Sequence, residues 1–173
     1  MKIAAIQMPV GMDKRENLRT AAEFVRRAAE QGARIAVLPE MFFCPYTNEY
    51  FPQYAEEQGG PAFEAMAGMA RQNSLTLVAG SMPERDGGRL YNTGFVFDPQ
   101  GQVIARHRKV HLFGINVQGG QRFCESDVFT PGEDVTVFEA DGHRFGLCIC
   151  FDIRFPELFR RMALKGAEAI FVP

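Results

Sequence analysis

Residues 13–40 read DKRENLRTAAEFVRRAAEQGARIAVLPE, and this stretch decides the fold. Asp13 followed by Glu16 resembles a capping box, in which the first side chain accepts from the opening turn of a helix. Leu18, Ala21, Ala22, Val25, Ala28 and Ala29 then recur at three- and four-residue spacing, so one stripe faces a core. Gly32 stands where a helix end calls for a left-handed residue. The apolar run Ile35-Ala36-Val37-Leu38 follows, and an earlier one, Ile3 to Met8, precedes. Strand, helix, strand within about forty residues is a βαβ unit whose parallel strands are expected to be buried on both faces.

Working outward, Pro39 to Gly60 reads as a long loop rich in Phe, Tyr, Pro and Asn, a length more often functional than incidental. Pro61 can open a second helix with Phe63, Met66, Ala67 and Ala70 inward, and Leu75 to Gly80 is a further buried strand. The punctuation then changes. Asp86-Gly87-Gly88, Asp98-Pro99-Gln100-Gly101 and Asp141-Gly142 read as tight turns. They separate strands expected near 91–97, 103–108, 135–139 and 144–149, so hairpins follow the βαβ start and the sheet is mixed. A helix over 156–165 ends at Gly166, and 169–172 is one more buried strand. The chain stops at Val172-Pro173 inside an apolar run, and we expect residues 1–173 to be the N-terminal part of a longer single domain.

The 173 residues are 46% hydrophobic and 23% charged, with 19 basic and 21 acidic residues. That balance suits a globular chain and gives no basic face for nucleic acid or a membrane surface. Gln7 and Pro9 interrupt the first apolar run, so it does not read as a secretory signal, and no stretch approaches the ~20 apolar residues of a membrane span. The expected location is the cytoplasm, with Cys44, Cys124, Cys148 and Cys150 reduced.

Three reactive side chains each follow a strand: Glu40 after Leu38-Pro39, Lys109 after Arg108, and Cys150 after Ile149. Sites in α/β sheets assemble beyond the carboxyl ends of strands, which makes the three a candidate constellation. Cys150 sits where a strand hands over to a helix with Arg154 close by, and a helix N-terminus and a cation both lower a thiol pKa. Its bland alternative is a buried structural cysteine, the reading given to Cys148. Glu40, ahead of Met41-Phe42-Phe43, would be partly desolvated and a better base, or else a solvent-facing loop residue. Lys109, inside Arg106-His107-Arg108-Lys109, reads by itself as part of a solvated face, with His107 exposed.

Leu38-Pro39-Glu40, Arg108-Lys109-Val110-His111-Leu112-Phe113 and the block from Cys148 to Leu158, CICFDIRFPEL, resemble the three signature blocks of the nitrilase (carbon–nitrogen hydrolase) superfamily. They stand in the family's order, and Ile6-Gln7, Tyr91-Asn92-Thr93 and Phe129-Thr130-Pro131-Gly132 match as well. The resemblance implies an α-β-β-α sandwich with mixed sheets. It implies Cys150 as nucleophile, Glu40 as proton carrier, Lys109 as oxyanion stabiliser aided by the Phe151 N–H, and Glu125 orienting lysine and substrate. The continuation Asp-Ile-Arg-Phe-Pro-Glu is similar to the omega-amidase and Nit-type branch. That branch implies hydrolysis of a small carboxylate-bearing amide through a thioester with loss of ammonia, without metal or cofactor, in a homodimer or larger homo-oligomer. Arg154 is the candidate cation for the substrate carboxylate, and Phe42, Tyr46 and Phe113 the candidate walls. Phe151 replaces the family's commoner Tyr, and the family's C-terminal portion lies beyond Pro173.

Other readings are weaker. A Cys–His hydrolase would need His107, His111 or His143; His143 falls in an exposed turn and His111 reads as structural. Cys148-x-Cys150 lacks a second ligand pair for zinc. A non-catalytic scaffold, a carbamoylase and a nitrilase remain relatives within the same superfamily.

Overall fold

The computed structural model describes residues 1–173. Its strands are β1 Ile3–Ala5, β2 Ile35–Val37, β3 Thr76–Val78, β4 Met82–Asp86, β5 Arg89–Phe97, β6 Val103–Arg108, β7 Gly114–Asn116, β8 Arg122–Cys124, β9 Thr136–Ala140, β10 His143–Leu147 and β11 Ala169–Phe171. The helices are α1 Lys14–Glu30, α2 Phe51–Tyr54, α3 Pro61–Asn73 and α4 Pro156–Leu164. No helix is long and apolar enough to cross a membrane.

Asp13 caps α1 as its sequence predicts, its side chain accepting from the N–H groups of Arg15 and Glu16, a contribution of about 1 kcal/mol. Ala21, Val25 and Ala28 form the buried stripe. The first sheet runs β1-β2-β3-β5-β4, with β6 also paired to β5; β1, β2 and β3 are parallel, and β5 is antiparallel to β3, β4 and β6. A second sheet, β11-β10-β9, has a parallel and an antiparallel pair.

Alternation along the strands sorts side chains into layers. Ala36, Leu77, Phe95 and Phe97 join the core beneath α1 and α3. Their neighbours Ile35, Val78 and Val96 point the other way and meet Phe138, Phe145, Leu147 and Phe171 of the second sheet. On that sheet's outer side Cys148 packs with Leu158 and Met162 of α4. Helices, sheet, sheet and helix therefore stack as the α-β-β-α sandwich that the family resemblance implies.

Some expectations need correction. β1 is not buried on both faces: it lies at the sheet edge with only β2 beside it, and Ile3 is 42% exposed. The last strand is likewise at an edge, with Phe171 buried but Ala169 exposed. The loop after Leu38 contains a short helix, α2, and Met82–Asp86 forms a hairpin strand with β5 that no apolar run announces. His107 is fully buried, because β6 turns it inward toward Thr136 of β9 while Arg106 and Arg108 point away.

Candidate active site

The chain leaves β2 through Leu38 and Pro39, and two features aim Glu40. Gly80 adopts φ +59°, and a Cβ there would stand 2.0 Å from the Pro39 carbonyl oxygen, so only glycine lets the β3 exit pass so close. Met41 takes φ +50°, with its N–H donated to Ser81 Oγ at 3.1 Å. A left-handed methionine is strained, and such strain persists where surrounding contacts over-determine it. The Glu40 side chain is left 13% exposed.

Lys109 lies one residue past β6. Its N–H donates to the Asn92 carbonyl at 2.8 Å, and its own carbonyl accepts from Gly132 N at 2.9 Å. Gly132 fits only because it lacks a side chain, since a Cβ would lie 2.2 Å from the Arg108 carbonyl oxygen. Lys109 is therefore no part of a solvated face. Its ammonium is fully buried, 2.8 Å from Glu40 Oε1 and 2.8 Å from Glu125 Oε2. Burial would depress its pKa, but the two carboxylates outweigh it and the group is raised, so it carries its charge at neutral pH.

Cys150 follows β10 at φ +43°, another left-handed non-glycine residue. Its backbone N–H donates to the Pro173 carbonyl at 2.8 Å. Asp152 holds the turn from below. The Asp152 carboxylate accepts from Ile149 N at 3.0 Å and from His111 N at 2.8 Å, and it meets His111 Nδ1 at 2.8 Å and His107 Nε2 at 3.2 Å. One buried carboxylate thus ties the cysteine turn to residues on both sides of Lys109.

The electrostatics at Cys150 reverse the sequence expectation. The residue opens a five-residue 3₁₀ turn, Cys150–Arg154, and α4 begins only at Pro156, so no α-helix N-terminus faces the sulfur. Arg154 is exposed and forms none of the ion pairs; Lys109 is the cation acting on the thiol. Partial burial of the sulfur comes first, and the negative charge of the Glu40 carboxylate next. Together they push the thiol up to about 11, against the pull of Lys109. Below that pH the resting sulfur keeps its proton. Cys44 and Cys148, both buried, are pushed up to about 12 by burial.

Glu125, in a short 3₁₀ turn after β8, is fully buried. It accepts from Phe113 N at 2.6 Å, Tyr46 Oη at 2.8 Å and Asn92 Nδ2 at 3.2 Å, besides the Lys109 contact. Asn92 also donates to Glu40 Oε1 at 2.8 Å. Asn92 and Asp152 carry this network, yet sequence reasoning gave neither a role; the only signal was their place in the Tyr91-Asn92-Thr93 and Cys150-Phe151-Asp152 blocks.

Of the expected walls, Phe113 stands beside Phe151 with ring centroids 5.4 Å apart. Tyr46 is half-exposed, 5.5 Å from Phe123, with its hydroxyl spent on Glu125. Phe42 is not a wall: it is fully buried edge-on to Phe43 in the helix-side core. Phe123 and Phe155 complete an aromatic arc that the sequence did not identify, with His111 stacked on Phe155 at 3.6 Å.

Comparison with known proteins is consistent with this arrangement. The chain is 45% identical to a hydrolase of Schizosaccharomyces pombe, covering 99% of this chain and 54% of that protein. It is 42% identical to the omega-amidase of Xenopus tropicalis, covering 99% of this chain and 62% of the relative. The crystal structure of Saccharomyces cerevisiae Nit3, a member of branch 10 of the nitrilase superfamily, superposes with a TM-score of 0.88 at 35% identity, covering all of this chain and 64% of that one. The chain thus spans between half and two thirds of the length of these relatives. The family model described as carbon-nitrogen hydrolase matches residues 2–173, and the chain belongs to the carbon-nitrogen hydrolase family.

Proposed function

We propose that the protein hydrolyses the amide bond of a small carboxylate-bearing molecule, with Cys150 as nucleophile. The observation that carries this reading is the convergence of three residues from three strand ends: the buried Lys109 ammonium hydrogen-bonds Glu40, and the charges of both act on the Cys150 thiol. A sequence separation of 69 residues is bridged to hydrogen-bond contact between Lys109 and Glu40, beside a thiol that needs a base within reach.

Because the thiol is protonated at rest, attack needs a base at the moment of reaction. Glu40 takes the S–H proton as sulfur bonds to the carbonyl carbon, and the carbonyl π electrons move onto oxygen. Lys109 carries a third N–H beyond the two given to Glu40 and Glu125. The Phe151 N–H, which no backbone carbonyl engages, can join it on the oxyanion. Collapse breaks the C–N bond, Glu40 delivers its proton to nitrogen, and ammonia leaves a thioester. Water then gives a proton to Glu40 while its oxygen attacks the acyl carbon. The thiolate departs, recovers the proton from Glu40, and the acid is released. Two easier steps replace one hard one.

The name of the omega-amidase relative supports an amide substrate. Arg154, exposed on the turn that carries Cys150, is the candidate partner for the substrate carboxylate, and the rings of Phe113, Phe123 and Phe151 supply apolar contact. Ammonia release from a panel of small amides and nitriles, with the full-length protein, tests the reading. Turnover of terminal amides bearing a carboxylate is expected; a preference for nitriles, or none of either turned over, would contradict it.

A further inference from the structure

Asn92 is buried in β5 between the two glutamates of the site. Its Nδ2 lies 2.8 Å from Glu40 Oε1 and 3.2 Å from Glu125 Oε1. An amide nitrogen has two protons, and here each meets a carboxylate. The reverse orientation would press Oδ1 against both carboxylate oxygens, so chemistry fixes which way the amide points. Its Oδ1 is buried without a protein partner. The side chain therefore makes its contacts with the protein through its NH₂ face.

Counting donors shows what that face does. On Glu125, Oε1 accepts from Tyr46 Oη and Asn92 Nδ2, and Oε2 accepts from Phe113 N and Lys109 Nζ. Four donors surround one carboxylate and occupy both of its oxygens. On Glu40, Oε1 accepts from Lys109 Nζ and Asn92 Nδ2, whereas none of the protein's hydrogen bonds uses Oε2. A proton arriving on Oε1 would face an ammonium and an amide NH₂.

We infer that Asn92 is a positioning residue that divides labour between the two carboxylates: it holds Glu40 so that Oε2 alone carries the proton, and it helps fill the acceptor positions of Glu125, which keeps that carboxylate out of proton transfer. This rests on the proposed amide hydrolysis and assigns the proton route within it. Asn92 touches neither sulfur nor substrate; it acts through Glu40 and Glu125.

The test compares wild-type, Asn92→Asp and Asn92→Ser forms of the full-length protein in kcat and KM against pH, each checked for a cooperative melt. Asn92→Asp keeps the shape but sets a third carboxylate against the other two. Its kcat should fall at least about tenfold with KM within about threefold, and the acid limb of kcat/KM should move up by about one pH unit, because like charges favour protonation. Asn92→Ser removes donors without adding charge and should move the limb in the same direction by less, which preserves the test where the Asp variant does not fold. Loss of kcat with an unmoved acid limb would mean a merely structural residue and would overturn the assignment, as would unchanged kinetics. A wild type inert toward amides would overturn the proposed function and this assignment together. An active wild type beside unmoved profiles would overturn this assignment alone.

Discussion

Lys109 Nζ and Glu125 Oε2 stand 2.8 Å apart, and neither side chain reaches solvent. With Glu40 beside them the one ammonium pairs with two carboxylates in a site whose members lie far apart in sequence. Lys109→Met should lower kcat by on the order of 10²–10³, the usual effect of losing a fixed oxyanion donor. It should also destabilise the fold by about 3–5 kcal/mol, because two carboxylates lose their buried partner. Steady-state kinetics and urea melts read the two effects separately, and wild-type kcat in a folded variant would remove Lys109 from the mechanism.

Asp152 gives a pH prediction with a definite sign. Burial alone would raise its pKa, but His107 and the N–H groups of Ile149 and His111 outweigh that and hold it below the ordinary carboxylate range. A depressed carboxylate contributes stability above its unfolded pKa of about 3.9 and loses it as pH falls through the lower folded value. Asp152→Asn should therefore cost about 1.5–3 kcal/mol at neutral pH, as for a lost charge-assisted hydrogen bond. The gap from wild type should narrow as pH falls through that range. Melts at a series of acidic pH values check this; a gap independent of pH would contradict it.

The glycine approaches make a geometric prediction. Gly132→Ala would bring a Cβ to 2.2 Å from the Arg108 carbonyl, and Gly80→Ala to 2.0 Å from that of Pro39. Backbone must move in each case, carrying Lys109 or Glu40 with it. A displacement of about 1 Å at a reacting group can cost 10²-fold in rate. Losses of that order are expected in both variants, although neither glycine touches the thiol. Near-normal turnover would show that the site tolerates looser placement.

Much of this architecture was legible in the sequence. The α1 stripe and its Asp13 cap, the buried runs at Ile35 and Leu75, and the turns at Gly87, Gly101 and Gly142 carry local signals that tertiary structure left intact. Charged neighbourhoods are where local sequence and assembled structure part. Arg106-His107-Arg108-Lys109 reads as a solvated run, but a strand alternates its faces, so His107 points into the sandwich between two outward arginines. Lys109 is buried because carboxylates 69 residues before it and 16 after it fold onto it, which no local window shows. The direction of the Cys150 shift was wrong for the same reason: Arg154 is near in sequence, Glu40 is near in space. Phe42 failed because one apolar residue of a mixed loop looks like any other until the core is assembled.

The raised thiol leads to an unusual pair of opposite effects. Replacing Glu40 by Gln removes the carboxylate that, after burial, does most to push Cys150 up. The thiol pKa should fall from about 11, so alkylation by iodoacetamide at pH 8–9 should speed up, by about tenfold for each unit of fall. Amide turnover should collapse at the same time, because the proton carrier is gone. Slower alkylation in Glu40→Gln would show that Glu40 activates the resting thiol rather than suppressing it.

The central claim is that Cys150 bonds to the acyl carbon. The most direct measurement is acid quench of the full-length protein during turnover of a carboxylate-bearing amide, followed by peptide mapping by mass spectrometry. The account predicts an added acyl mass on the peptide containing Cys150, released by hydroxylamine as a thioester is, with neither adduct nor turnover in Cys150→Ala. Undiminished turnover by Cys150→Ala, or an acyl adduct on Cys44 or Cys124 in place of Cys150, would contradict it.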